Sequence, residues 1–245
     1  MNQAKTVIIT GASGGIGFEI AKRYLSRGYN VVGHALNLDG LEKAHIQLGS
    51  TDQFKYLAGD ISKKETVDAL FDFAIAQFSQ VDIVINNAGI FIGKPVADYT
   101  ENDINQMIDI NLRSFIYMSQ ASVKHMATTG GKFVAITAAL ALQPNSKQPA
   151  LLPILTKSGL NGAIKGLAIE LAPLNIQVNA VAPGLIETPM HAANEEVKNA
   201  LKGMSPMHQL GQPADIANAV LYLTESSFVT GTIMPVDGGS TSGVW

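Results

Sequence analysis

Seven short apolar runs rich in β-branched residues punctuate the chain: Thr6–Thr10, Asn30–His34, Phe54–Leu57, Val81–Ile85, Lys132–Ile136, Ile176–Ala180 and Ile233–Val236. Each has strand length, and several carry little polar alternation, as expected of strands covered on both faces. Longer stretches lie between them with apolar residues at helical spacing, such as Ile16, Ile20 and Tyr24. Strands alternating with helices predict βαβ crossovers, hence an α/β fold with a doubly wound, seven-stranded parallel sheet and helices on both faces. Helix starts are marked by two capping boxes, Ser62 with Glu65 and Thr100 with Asp103, and by Pro213 as a first-position proline.

No Pro/Gly/Ser linker, repeat or low-complexity tract divides the sequence, so residues 1–245 read as one domain. The loosest stretch is 187–211, with Met190, His191, Asn194, Met204, Met207 and His208. That is the composition of a mobile substrate lid, or of an ordinary surface connection.

Composition narrows the chemistry. Charged residues are only 15 % of the 245 and apolar residues 47 %. A parallel sheet buried on both faces and a subunit interface would each account for so little charge. With 17 basic and 20 acidic residues the net charge is −3. The longest basic cluster is Lys63-Lys64, so nucleic acid is not an expected partner. There is no cysteine, which excludes thiol catalysis and cysteine-ligated metals. Histidines 34, 45, 125, 191 and 208 show no ligand pair at helical spacing, so no metal site is expected. Without a membrane-length apolar run or a signal-peptide pattern, the expected location is the cytoplasm.

Thr10-Gly-Ala-Ser-Gly-Gly-Ile-Gly17 joins the first strand to the first helix. Glycines there let the backbone turn sharply and approach a pyrophosphate, which the free N–H groups and positive end of the helix would hold. Gly11-Ala-Ser13-Gly-Gly15 also spells a hydrolase elbow, but such an elbow follows several strands and precedes an acid and a histidine. A dinucleotide fold usually has an acid about 20 residues on for a ribose 2′-OH, or an arginine for a 2′-phosphate. Here the second strand ends His34-Ala-Leu-Asn37, and the first acid is Asp39. Both NADP and NAD are open, with a slight lean to NADP and with His34 or Arg27 as candidate partners of the phosphate.

The motifs together resemble the short-chain dehydrogenase/reductase family over almost the whole chain. The Gly11/Gly15/Gly17 spacing, with Ser13 and Ile16, is similar to its cofactor turn. Asp60-Ile61 stands in the place of the adenine contact, and Asn86-Asn87-Ala88-Gly89 in that of the motif after the fourth strand. Asn111 matches the helix asparagine, Pro183-Gly184 with Ile186 and Thr188 the nicotinamide-amide site, and Asp237-Gly-Gly239 the close of the last strand. The resemblance implies a single-domain Rossmann fold that binds NAD(P). It assigns the cofactor to Gly11, Ser13, Gly15, Ile16, Gly17, Asp60, Ile61, Asn87, Ala88, Gly89, Lys157, Pro183, Gly184, Ile186 and Thr188, and catalysis to Asn111 and Lys157.

The pattern breaks at the chemistry the resemblance implies, a serine orienting a carbonyl and a tyrosine acting as acid/base four residues before a lysine. Lys157 is present, but Pro153 stands at the tyrosine position and Ala138 at the serine position. Proline suits a first helical position, so the fold loses nothing there. Thr137 is adjacent, though strand geometry turns its hydroxyl to the other face. An impaired or atypical NAD(P)-dependent oxidoreductase remains open, transferring hydride to or from a small uncharged substrate. In that case Lys157 with Asn111 and water would stabilise an alkoxide, and Thr137 or His191 would supply a proton. A substrate needing no carbonyl protonation, such as an activated C=C or an imine, is a second possibility. The alternative to an enzyme is a non-catalytic NAD(P)-binding sensor or assembly protein. The substrate lining is expected from Ala138–Gln148, Ile90–Lys94 and the lid.

The helix after Pro153 carries Gly159, Gly162, Ala163 and Gly166 along one side, with Leu160, Leu167 and Leu171 at helical spacing. This predicts either a homodimer or homotetramer contact, as the resemblance implies, or close packing on the protein's own sheet.

Overall fold

The computed structural model describes residues 4–146, 148–188 and 195–243, with side chains omitted for 195–198. Seven strands form one parallel sheet in the order β3-β2-β1-β4-β5-β6-β7. They are β1 (Thr6–Thr10), β2 (Asn30–Ala35), β3 (Phe54–Ala58), β4 (Ile83–Asn86), β5 (Gly131–Ile136), β6 (Ile176–Pro183) and β7 (Ile233–Val236). Strand order reverses direction between β1 and β4, and ligand crevices in such sheets open at the carboxyl ends beside that switch.

Helices cover both faces, which is why the strands lack polar alternation. Along β1, Val7 and Ile9 enter one core with Ile20 and Tyr24 of α1 (Gly15–Leu25) and with Ile216 and Val220 of α8 (Pro213–Glu225). Ile8 enters the other, with Phe71 of α3 (Lys64–Phe78), Phe115 of α5 (Ser114–Met126) and Leu160 of α6 (Leu151–Leu171). The remaining helices are α2 (Leu38–Gln47), α4 (Glu101–Ile108) and α7 (Glu195–Lys202). No helix among the described residues is long and apolar enough to cross a membrane.

Local signals succeed where the partner is near in sequence. Thr100 caps α4 as expected: its hydroxyl accepts from Asp103 N at 3.2 Å, and Asp103 accepts from Thr100 N at 2.8 Å. Pro213 is the first residue of α8. The Ser62–Glu65 box does not form; α3 begins at Lys64, because Asp60 takes the Ser62 N–H at 2.9 Å and holds the chain in a turn. Pro153 is the third residue of α6 rather than the first, still within the turn whose N–H groups have no helical partner.

The stretch read as a lid contains a regular element, α7. Met190, His191 and Asn194 within it lie outside the described residues, as does Lys147 of the expected substrate lining. On α6, Leu160 and Leu171 pack into the core while Gly159, Gly162 and Gly166 face outward. A Cβ added at Gly162 or Gly166 would meet open space, so these two do not serve close packing on the protein's own sheet.

Candidate active site

A cleft of about 1170 Å³ runs along the carboxyl ends of the strands. Its wall includes Gly11, Ser13, Gly15, Ile16, Asp60, Ile61, Asn87, Ala88, Gly89, Lys157, Pro183, Gly184, Ile186 and Thr188, all expected from the sequence. Two expected residues are not in the wall. Gly17 lies beneath it, where a Cβ would stand 2.2 Å from Gly11 O, so the helix can seat against the turn only with glycine. Asn111 lies behind it and is 1 % exposed.

At the β1 end the cleft meets the start of α1. Its N-cap, Gly14, makes no side-chain cap bond, and the first turn holds no acid, so the N–H groups and the positive helix end stay unspent. The turn is braced from β4. Thr10 Oγ1 accepts from Asn87 N at 3.0 Å and Ala88 N at 2.9 Å, and Asn87 Nδ2 donates to Thr10 O at 2.8 Å. Gly11 has φ +70°, the left-handed region that favours glycine.

Beyond the turn lie His34 and Asp60. His34 Nε2 donates to Gly59 O at 3.1 Å, while Nδ1 is buried without a partner among the described residues. Burial pulls its pKa down to about 4, so it is neutral near pH 7. The hydrogen bond from Ser62 holds the Asp60 carboxyl below its usual range. Neither cation proposed for a 2′-phosphate is available: Arg27 pairs with Glu225 at 3.1 Å and is not in the wall, and His34 carries no charge. A smaller adjoining cleft is lined by Ser13, Ala35, Asn37 and Asp39 among others.

At the other end the wall is formed by the end of β5, the 3-10 turn Ala139–Ala141 and, from α6, Lys157 alone; Pro153 is not in it. The Thr137 hydroxyl donates to Val181 O at 3.3 Å. Ala138 is extended, and Pro153 is buried at the start of α6. Lys157 Nζ donates to Ile136 O at 2.9 Å. Burial alone lowers its pKa from 10.5 to about 8. Gly89 lets it approach: a Cβ there would be 3.1 Å from both Lys157 Nζ and Asn111 Oδ1.

Asn111 sits in a π-helical turn, Asp109–Arg113, between α4 and α5. Its amide is fully used: Oδ1 accepts from Ile90 N at 3.0 Å, and Nδ2 donates to Ile90 O at 3.0 Å and to Thr156 Oγ1 at 3.2 Å. It clamps the loop after β4 onto α6, which makes its side chain a positioning group.

Ile90 and Phe91 line the substrate end as expected, but Lys94 does not. It is drawn 2.6 Å from Asp103, whose carboxyl the lysine and Thr100 hold down at about 2. Gln106, Asp109 and the carboxyl-terminal Ser240, Thr241 and Gly243 also line the cleft, and sequence reasoning missed them. Asp237 orders that last turn by accepting from Gly239 N, Thr241 N and Thr241 Oγ1 at 2.9, 2.9 and 2.7 Å. The closely spaced Asp237 and Thr241 were the signal available. Among the described residues no histidine and acid groups form a metal cluster.

A family model described as enoyl-(acyl carrier protein) reductase matches residues 11–241. The chain is 34 % identical over 242 residues to a 3-oxoacyl-[acyl-carrier-protein] reductase, FabG, of Chlamydia trachomatis, covering 96 % of both chains. The chain belongs to the short-chain dehydrogenase/reductase family. Within this family of NAD(P)-dependent oxidoreductases it is also 34 % identical to 3beta-hydroxysteroid dehydrogenase 1 of Eggerthella lenta, over 98 % of this chain and 94 % of that one. Among solved structures, 3-ketoacyl-(acyl-carrier-protein) reductase from Brucella melitensis complexed with NADH superposes with TM-score 0.91 at 29 % identity, covering 98 % and 99 % of the two chains. ElxO with NADP bound gives 0.92 at 28 %, covering 98 % and 100 %. This short-chain dehydrogenase/reductase therefore resembles proteins described with each of the two cofactors.

Proposed function

We propose that this chain is an NAD(P)-dependent oxidoreductase with a degenerate catalytic site, exchanging hydride with a small uncharged substrate. The observation that carries the reading is the single cleft joining the unspent N-terminus of α1 to Lys157. The group fits its wall: free helix N–H groups for a pyrophosphate, glycine where backbone must approach, an unpartnered His34 Nδ1, and a lysine with protons to share. Gly11–Gly15 would hold the pyrophosphate, Asp60 and Ile61 the adenine side, Lys157 the nicotinamide ribose, and Pro183–Thr188 the carboxamide. When bound, the nicotinamide supplies or accepts a hydride.

The cleft is read as taking either NADP or NAD. The expected lean to NADP loses its support with Arg27 and His34. Fluorescence titration with NADH and NADPH tests this; tight binding of both, within tenfold, is expected.

Ala138 and Pro153 offer no hydroxyl, and Thr137 turns its own away, so rapid oxidation of simple secondary alcohols is not expected. Several such alcohols turned over quickly by purified protein would refute the degenerate site. The same missing hydroxyls favour one second reading, an NAD(P)-binding sensor or assembly protein. Cofactor binding without turnover on any carbonyl, imine or activated C=C substrate would establish it.

The outward stripe of α6, with Leu155 57 % and Ile169 80 % exposed around Gly159, Gly162 and Gly166, supports a homodimer or homotetramer. Sedimentation showing only monomer at micromolar concentration would exclude it.

A further inference from the structure

Carbonyl reduction needs a proton at the oxygen, and the hydroxyls of Thr137, Ser158, Ser240, Thr241 and Thr156 each donate elsewhere. Thr137 donates to Val181 O and Ser158 to Ala141 O at 2.9 Å. Ser240 donates to Asp237 O and Thr241 to Asp237 Oδ2, both at 2.7 Å. Thr156 is fully buried, donates to Leu152 O at 2.8 Å, and is not in the wall. Both N–H groups of the Asn111 amide are given to Ile90 O and Thr156 Oγ1.

Lys157 differs from all of these. Its ammonium has three protons and gives one to Ile136 O. It forms no ion pair among the described residues. The groups placed around it are neutral: Gly89 after β4, Asn111 of the π turn and Ile136 of β5. No titratable side chain on those elements shifts it; burial alone does.

We propose, on the oxidoreductase reading above, that Lys157 is itself the acid/base of this enzyme, its ammonium protonating the carbonyl oxygen in reduction and its amine taking the proton back in oxidation. With a reduced cofactor bound to supply a hydride to the carbonyl carbon, the C=O π pair would move to oxygen and that oxygen would take a proton from Lys157 Nζ. The products are an alcohol, the oxidised cofactor and a lysine amine, which regains its proton from water. A free lysine holds its proton too tightly for this work, whereas one that titrates near 8 exchanges it near neutral pH. A vicinal diketone, whose electron-poor carbonyl accepts hydride readily, serves as the probe.

The test uses 2,3-butanedione with NADH and NADPH on wild type, Lys157→Arg and Lys157→Met. For wild type, kcat/KM for reduction should be flat at low pH and fall tenfold per unit above an apparent pKa near 8. Arginine keeps the charge and the donors but does not release a proton in this range. Lys157→Arg should therefore lose at least 100-fold in kcat at saturating cofactor, its affinity for both cofactors being measured separately by fluorescence. Lys157→Met should lose cofactor affinity as well.

Turnover that is independent of pH up to 10, or wild-type kcat in Lys157→Arg, overturns the lysine acid and leaves the oxidoreductase reading standing. Tight cofactor binding with no turnover of 2,3-butanedione overturns the lysine acid; the same result across carbonyl, imine and activated C=C substrates overturns the oxidoreductase reading as well, in favour of the sensor. No cofactor binding overturns the reading of the cleft itself. The wild-type pH profile decides alone if Lys157→Arg does not fold.

Discussion

The two ends of the cleft are made of different materials. At the β1–α1 end the working parts are backbone: N–H groups at a helix start, a glycine with φ +70°, and a turn braced by Thr10 and Asn87. At the β5–α6 end the proposed site would draw on two side-chain hydroxyls, at the positions where the sequence resemblance puts Ala138 and Pro153. The backbone is undisturbed there. Ala138 is in extended backbone open to any residue, and Pro153 occupies a helical position that needs no N–H donor. A function made of main chain is thus tied to the fold, whereas one made of side chains can leave without the fold registering it.

Gly17→Ala is the harshest challenge to the backbone end. Its Cβ would collide with Gly11 O at 2.2 Å and Asn87 Nδ2 at 2.7 Å, so α1 must move off the turn. Overpacking of this kind costs about 3 kcal/mol. Thermal melts should fall accordingly, and NADH and NADPH fluorescence titrations should show binding lost; retained affinity would place the pyrophosphate elsewhere.

His34 gives the same end a pH dependence. Its folded pKa of about 4 lies below the unfolded 6.5, so the unfolded chain binds more protons between those values. Stability should be complete above pH 6.5 and decline by about 3 kcal/mol as pH falls towards 4. Denaturant unfolding at several pH values measures it, and His34→Gln should flatten that part of the curve.

The side-chain end can be rebuilt rather than broken. Pro153→Tyr with Ala138→Ser should raise diketone and ketone reduction about 100-fold while cofactor affinity stays within a fewfold. A folded double variant that binds NADPH and gains nothing would show the site to be misplaced.

Smallest of these is Thr156→Val. It removes the hydroxyl that accepts from Asn111 Nδ2 and should cost about 1 kcal/mol in melting experiments, with no change in cofactor affinity. A large loss of affinity would show that the clamp reaches the binding end as well.

Much of this was legible in the chain. All seven apolar runs are strands; Thr6–Thr10 matches to the residue because burial on both faces leaves an unambiguous pattern, and Ile233–Val236 matches too although it is a half-buried edge strand. The binding residues could be read because glycine turns and helix starts are local devices. What could not be read depended on distant partners. Arg27 looked free for a phosphate until the fold brought Glu225 of α8 beside it. Lys94 looked like part of the substrate lining until it found Asp103. Ser62 looked like a cap because its competitor, Asp60, is a residue whose role depends on the turn it enters. Ser240 and Thr241 went unnoticed because the wall they form exists only once the last strand has docked on β6.

The turn after β7 couples the far edge of the sheet to the loop after β5. Gln143 Nε2 donates to Gly243 O at 2.9 Å, and both residues line the cleft. One bond thus joins two separate stretches of its wall, and a fluorescent label at Gln143 would register movement of either.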